Sequence, residues 1–189
     1  MEKLKLYPGE RFVFNNIEFV CLECTENEMF AMTTEFWKNL PFDENNNNNW
    51  KDSSLRRALN EDFLPKIEEK VLVKTAQDLT ADNGDRSYGV CTDYITILTV
   101  DQFRKYRDIL LPIVKEFDDW MWTLTPWACK SPGASYGDVV RYVSPAGNIN
   151  GGGYANDSYG VAPACTFNLS HLKSRRQARV LVEADESDN

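Results

Sequence analysis

The sequence predicts an α+β fold in which two helices interrupt a chain of short, mostly antiparallel strands. Three observations lead there. Strand-like runs dominate both the first third and everything after Trp120, only two stretches show helical spacing, and the strand-helix alternation of a doubly wound sheet is missing. At 189 residues, with 42% hydrophobic and 12% aromatic content, the chain is long enough for one ordinary core. Residues 1–172 are therefore expected to form a single domain, and 173–189 a charged C-terminal segment with an acidic tail.

In chain order, "ERFVFNN" and "IEFVCLEC" read as a hairpin with Asn15-Asn16 at its tip, and "MFAMTTEF" as a third strand. "LPFDENNNNNW" follows and reads as a tolerant polar surface loop. "DSSLRRALNEDFL" is a helix that Asp52 or Ser53 can cap, with Leu55, Ala58, Leu59 and Phe63 on one face. Pro65 predicts its end between Asn60 and Leu64. "KVLVKTAQ" and "DYITILT" are strands on either side of a turn-rich loop, "DLTADNGDRSYG". The second helix begins at Thr99, whose hydroxyl can cap it while Gln102 reaches back. Phe103, Tyr106 and Leu110 form its inner face, and Pro112 lies near its end. After Trp120, "WMWTLTPWACKS", "DVVRYVS", "NINGGGYA" and "YGVAPACTFNLS" read as strands parted by Gly, Pro and Asn turns.

Composition narrows the function. The net charge is −8, and Glu183 to Asn189 holds acids and no base, so part of the acidity is a solvated end. A nucleic-acid partner is not expected, because phosphate contacts need a basic face. The one basic run, Lys173, Arg175, Arg176 and Arg179, lies beside the acidic tail and reads as an exposed segment. There is no apolar run of signal-peptide length at the start, and nothing approaches the roughly eighteen apolar residues of a membrane span. The expectation is a soluble protein made in the cytoplasm, with no membrane insertion; association with a virion stays open. Five cysteines, Cys21, Cys24, Cys91, Cys129 and Cys165, are an odd number and point to reduced thiols.

Catalytic and cofactor motifs are weak. Gly151-Gly152-Gly153 fails as a phosphate loop, since no Lys-Ser/Thr pair and no helix start follow it; glycine's freedom at positive φ accounts for three of them in a tight or bulged loop. Cys21 and Cys24 form a lone C-x-x-C, yet in a strand i and i+3 point to opposite faces. Zinc needs more ligands than one histidine, His171, can complete. That single histidine also weakens any Ser-His-Asp or Cys-His proposal. No carboxylate pair stands in a context that implies general acid-base work. No metal or cofactor is expected. Trp120 and Trp122 share a strand face, which reads as core, with a sugar-stacking platform as the alternative.

One compositional gap stands out. Ser131 to Leu172 contains no Lys, Glu, Gln, Met or Trp, although these types are spread through the rest of the chain. A loop-and-strand region avoids strong helix formers. The segment is also rich in Tyr, Ser, Gly and Asn, the residues of adaptable binding loops.

The order of "NNNWKDSSLRRALNEDFLPKI", "DYITILTVDQFRKY", "WTLTPWACKSPG", "VVRYVSPAGNI" and "SYGVAPACTFNLS" resembles an uncharacterised domain family of Firmicutes and their phages, over roughly residues 10–170. That family is similar to the C-type-lectin-like fold of diversity-generating retroelement variable proteins and of formylglycine-generating enzymes. Two departures stand out, Ala162 where the family has Arg in "GVRPA", and "WACKS" for "WLRS". The resemblance implies a C-type-lectin-like scaffold. It also implies a mutational history: changing the first two bases of an AAC codon never yields Lys, Glu, Gln, Met or Trp, which is the composition of the gap. On this reading a diversified or displayed surface falls on Ala134, Ser135, Tyr136, Asp138, Asn148, Asn150, Gly152, Tyr154, Asn156, Asp157 and Tyr159. The expected function is non-catalytic recognition of a protein or glycan ligand on a host or target surface. Two alternatives stand beside it: an oxidoreductase like the formylglycine-generating enzymes, using Cys129 and Cys165, and a structural virion or assembly protein.

Overall fold

Asn15 and Asn16 take φ values of 48° and 64°, the left-handed pair that a two-residue hairpin turn requires. They join β1 (Arg11–Phe14) to β2 (Ile17–Cys24), with Phe14 opposite Ile17. β3 (Glu28–Thr33) pairs with β2, and β4 (Lys38–Pro41) leaves for a second sheet. The computed structural model describes residues 6–133, 135–172 and 178–181.

A bulge interrupts the β2–β3 ladder. Cys21 stands opposite Ala31, Glu23 opposite Phe30 and Cys24 opposite Met29, so Leu22 is the extra residue. The strand-parity expectation for the C-x-x-C pair is therefore corrected. One added residue turns an i, i+3 pair into same-face neighbours, and Cys21 and Cys24 both pack with the main core while Val20 and Leu22 pack on the other side.

The first helical segment runs from Ser54 to Ile67 as α1 (Ser54–Ala58), a π-helical turn (Leu59–Phe63) and α2 (Leu64–Ile67). Ser53 caps it, its hydroxyl accepting the Arg56 N–H at 3.1 Å. Pro65 does not end the helix, as its sequence position suggested. The wider turn before it absorbs the missing N–H and the ring clash that Pro imposes on the preceding turn. Leu55, Leu59, Phe63 and Ile67 are all buried. β5 (Leu72–Val73), β6 (Thr75–Asp78), β7 (Val90–Asp93) and β8 (Ile95–Thr96) follow, with β6 and β7 forming a separate two-stranded ribbon.

The second helix opens with both halves of the expected capping box: Thr99 Oγ1 accepts the Gln102 N–H, and Gln102 Oε1 accepts the Thr99 N–H. It breaks at Tyr106 into α3 (Val100–Lys105) and α4 (Arg107–Glu116). Pro112 lies inside α4, not at its end, because Ile113 and Val114 still have apolar surface to bury.

The remaining strands are β9 (Met121–Pro126), β10 (Val139–Val143), β11 (Ile149–Tyr154), β12 (Ser158–Val161), β13 (Ala164–Asn168) and β14 (Ala178–Leu181). One sheet has the order β14-β1-β2-β3-β13-β5, with β8 also on β13; the other has the order β11-β10-β9-β12-β4. All pairings are antiparallel except β12 with β9. The fold is thus α+β, mostly strands. β14 pairs along β1, Arg11 opposite Leu181, so the sheet takes in residues past 172, where the sequence suggested the domain would end.

The larger core lies between the two sheets and the first helix; Phe167 anchors it with Phe12, Phe14 and Phe19 rings 5.3–5.6 Å away. The smaller core packs α3 and α4 on the other side of β2 and β3. Among the described residues, no helix is long and apolar enough to cross a membrane.

The parallel contact of β12 with β9 depends on Gly160. A Cβ there would meet Phe36 ring carbons at 2.1–2.4 Å, and Phe36 is itself packed on Phe117 at 4.1 Å. Gly160→Ala should destabilise the protein by about 1–3 kcal/mol. Urea denaturation reads this directly; an unchanged midpoint would mean that Phe36 moves aside without loss.

Candidate ligand-binding surface

The surface is built on the asparagine loop between β4 and α1. Asp43, 2% exposed, accepts the Asn45 and Asn47 N–H groups on Oδ2 and the Ser54 N–H on Oδ1, and its own N–H donates to Ala155 O. These bonds curl residues 43–54 into a rigid arc that places Asn48 in the interior. Asn48 is fully buried; its Nδ2 donates to Ala128 O at 2.8 Å and Val139 O at 3.0 Å, with Tyr136 O at 3.4 Å. Its Oδ1 accepts the Tyr88 hydroxyl at 2.7 Å, and that hydroxyl accepts the Lys130 N–H at 2.7 Å. Burial raises the Tyr88 pKa, which keeps the phenol a donor. The tolerant-loop reading of the five asparagines is corrected: one of them is a buried hydrogen-bonding hub.

A second buried network fixes the arc to the first helix. Asp93, 4% exposed, accepts Trp50 Nε1 at 2.9 Å and forms a close ion pair with Arg56, Nη2 to Oδ1 at 2.8 Å. The Arg56 pKa is raised by its bond to Asp93.

On this base the loop after β9 is held in an uncommon shape. Tyr136 has φ +67°, a strained value for a non-glycine residue. It is supported by the Val139 N–H donating to Tyr136 O at 3.2 Å. Gly137 has Lys130 Cα only 2.8 Å from where a Cβ would stand, so the loop closes on its own base. The Tyr136 ring lies 5.3 Å from that of Trp127, whose face carries the Arg141 guanidinium at 3.9 Å. Asp82 accepts from Arg141 Nε at 3.0 Å and bonds Nη2 as well. Tyr154, at the end of β11, faces Val139 across the β10–β11 ladder. Tyr136 and Tyr154 are 58% and 57% exposed, the most exposed tyrosines of the second half of the chain.

The structure brings together only part of the set read from the sequence. Tyr136, Asp138, Tyr154 and Asn156 meet at one end of the second sheet. Asn46 links two of them, donating from Nδ2 to Asp138 Oδ2 at 3.2 Å and accepting the Asn156 N–H at 3.3 Å. Ser135 is exposed in the same loop, and Asp157 closes the turn after β11 by accepting the Tyr154 N–H at 2.9 Å. Ala134 lies outside the described residues. Asn148 is exposed but sits at the far end of β11, about 20 Å away by strand rise. Asn150 belongs to β11, opposite Tyr142.

Gly152 is exposed, yet a Cβ there would meet Val139 Cγ1 at 1.5 Å, so it offers no room for a displayed side chain. The whole Gly triplet is strand, with the β10–β11 register shifting beside Gly151, and none of the three has positive φ. Close packing against Trp127, Val139 and Tyr159, not turn geometry, is what requires glycine there.

Tyr159 belongs elsewhere. It is half-buried among Trp122, Trp120 and Tyr142 at 4.5–5.2 Å, and Trp120 stacks on Tyr142 at 4.8 Å. Trp122 is buried and Trp120 is 38% exposed, so the two tryptophans differ in what they face. Cys165 lies in β13 within the main core, whereas Cys129 follows β9 outside both core groups and its thiol faces Asp85 O at 3.6 Å.

Sequence reasoning missed Asn46, Asn48, Tyr88 and Arg141. Trp127 entered that reading as part of the strand run "WMWTLTPWACKS".

Asn48→Ala takes away the side-chain donor of Ala128 O and leaves the Tyr88 O–H without its acceptor, and should cost about 2–4 kcal/mol. Tyr136→Ala and Tyr154→Ala should each stay within about 0.5 kcal/mol of the parent. Chemical denaturation of the three variants separates hub from display; equal losses would refute the division. Burial first, then the Asp157 carboxylate, pushes the Tyr159 hydroxyl up to about 12. The folded state therefore favours the neutral phenol. That stability is complete below the unfolded value near 10 and is lost as pH rises from about 10 to 12. Denaturation midpoints should fall more steeply between about pH 10 and 12 in the parent than in Tyr159→Phe. Comparison with protein-family models, curated proteins and solved structures finds no match to this chain.

Proposed function

We propose that the chain is a non-catalytic recognition protein, binding a protein or glycan on a host or target surface through Tyr136, Tyr154, Trp127 and Arg141, with Ser135, Asn46 and Asn156 at the rim. One observation carries this reading: two tyrosines, 58% and 57% exposed, stand on hydrogen-bonded backbone, Tyr136 beside the buried Asn48 amide and Tyr154 on the Asp157 carboxylate. Tyrosine brings a large contact area with few rotatable bonds, and a pre-organised loop loses little entropy on binding. Asn, Ser and Asp around them supply hydrogen bonds of either polarity.

The scaffold is read as C-type-lectin-like. Support for this comes from the order of the resembling segments and from the mixed, largely antiparallel architecture. A retroelement-diversified history is supported by the composition gap from Ser131 to Leu172. On this scaffold Ser135, Tyr136, Tyr154 and Asn156 are exposed positions open to such variation. Gly152 has no space, Tyr159 is packed, and Asn148 lies at the other end of its strand.

Arrays of glycans and of cell-surface proteins, probed with the parent and with the Tyr136→Ala, Tyr154→Ala double variant, test the reading. A ligand held by the parent should lose about tenfold or more in affinity for the double variant. If every ligand bound both equally, or the parent bound none, the assignment of this surface would fall.

A further inference from the structure

The bulge in β2 creates a site that the linear motif did not promise. Cys21 and Cys24 stand opposite Ala31 and Met29, two residues apart on one face of β3. Both thiols pack into the same core group, Cys21 fully buried and Cys24 half-buried at the strand end, where its Sγ–H donates to Thr25 O at 3.5 Å. Of the other three cysteines, Cys91 donates to Asp93 at 3.4 Å, Cys129 faces Asp85 O at 3.6 Å, and Cys165 is enclosed by core.

We propose that Cys21 and Cys24 form a reversible dithiol–disulfide couple that exchanges with low-molecular-weight disulfides. Cys24, the accessible partner, attacks one sulfur of the small disulfide as its thiolate, and one small thiolate leaves. Cys21, once deprotonated, attacks Cys24 Sγ; the Cys21–Cys24 bond forms and the second small thiolate leaves. Two protein thiols lose two protons and two electrons, and one small disulfide becomes two small thiols.

The bulge holds this geometry without help from the thiols. Glu23, on the face opposite the cysteines, accepts from Lys105 Nζ at 2.6 Å and from the Tyr106 hydroxyl, which ties the bulge to α3. Lys105 lowers the Glu23 pKa, so the tie is ionic. The Cys24 side chain is a direct hydrogen-bonding neighbour of the Cys21 thiol, so the bulge brings the two sulfurs together. Burial, then the Cys24 thiol and the Glu10 carboxylate, push the Cys21 thiol up to about 12, so Cys24 is the thiol that meets the small disulfide first.

The test uses the native, full-length protein incubated with glutathione disulfide, quenched, and analysed by thiol titration and peptide mapping. Two of the five thiols should disappear, with Cys21 and Cys24 joined in one peptide, and a dithiol reductant should restore both. The rate should rise with pH, because the attacking species is a thiolate. Cys21→Ala empties a core position, so Cys24→Ser serves as the control. It should fold as judged by circular dichroism and keep all its remaining thiols. Five free thiols, a mixed disulfide that stalls on Cys24, or pairing seen only after unfolding in urea would each overturn the proposal.

Discussion

The loop after β9 depends on the side-chain amide of Asn48. In a dry interior, the carbonyls of Ala128 and Val139 and the hydroxyl of Tyr88 all need partners, and they come from three separate segments. An amide supplies both donor and acceptor without a charge. A carboxylate of the same size would face those carbonyls with no proton to give, and an apolar residue would take the side-chain donor from Ala128 O and the acceptor from the Tyr88 O–H. The loop from Trp127 to Val139 keeps its shape because this one group is satisfied, and Asp43 keeps Asn48 in position.

The second sheet sorts its aromatic residues into two jobs. Tyr136 and Tyr154 are open to solvent at one end, with the half-buried Trp127 and Arg141 packed beside Tyr136. Trp120, Trp122, Tyr142 and Tyr159 pack on one another across β9, β10 and β12. Gly151, Gly152 and Gly153 make the sorting possible, since side chains there would collide with Trp127, Val139 or Tyr159. Glycine thus acts on this protein through closeness of approach, and the residues that crowd it determine which rings can be displayed.

Local signals were legible where the physics is local. The Asn15-Asn16 turn, the Ser53 cap and the Thr99–Gln102 box each depend on a few neighbouring residues, and each formed as read. Readings failed where a distant element set the outcome. Strand parity separated Cys21 from Cys24 until the bulge against Phe30 realigned them. Pro65 marked an end that the π-helical turn and the burial of Ile67 overrode. Five asparagines looked interchangeable because low complexity conceals which of them faces Tyr88 and Val139. Tyrosines at 136, 154 and 159 looked alike, and only packing against Trp122 removed Tyr159 from the displayed set.

By itself the sequence determined the α+β class, the caps and turns, and a Tyr, Asn, Ser and Gly vocabulary between Ser131 and Tyr159. Those follow from backbone preferences and side-chain chemistry that act over a few residues. The tertiary structure alone decided that Asn48 is a hub, that Gly152 has no room and that the two thiols of β2 share a face. Each of these depends on which distant backbone lies within a few ångströms, and that follows from the strand order of the two sheets and the bulges within them.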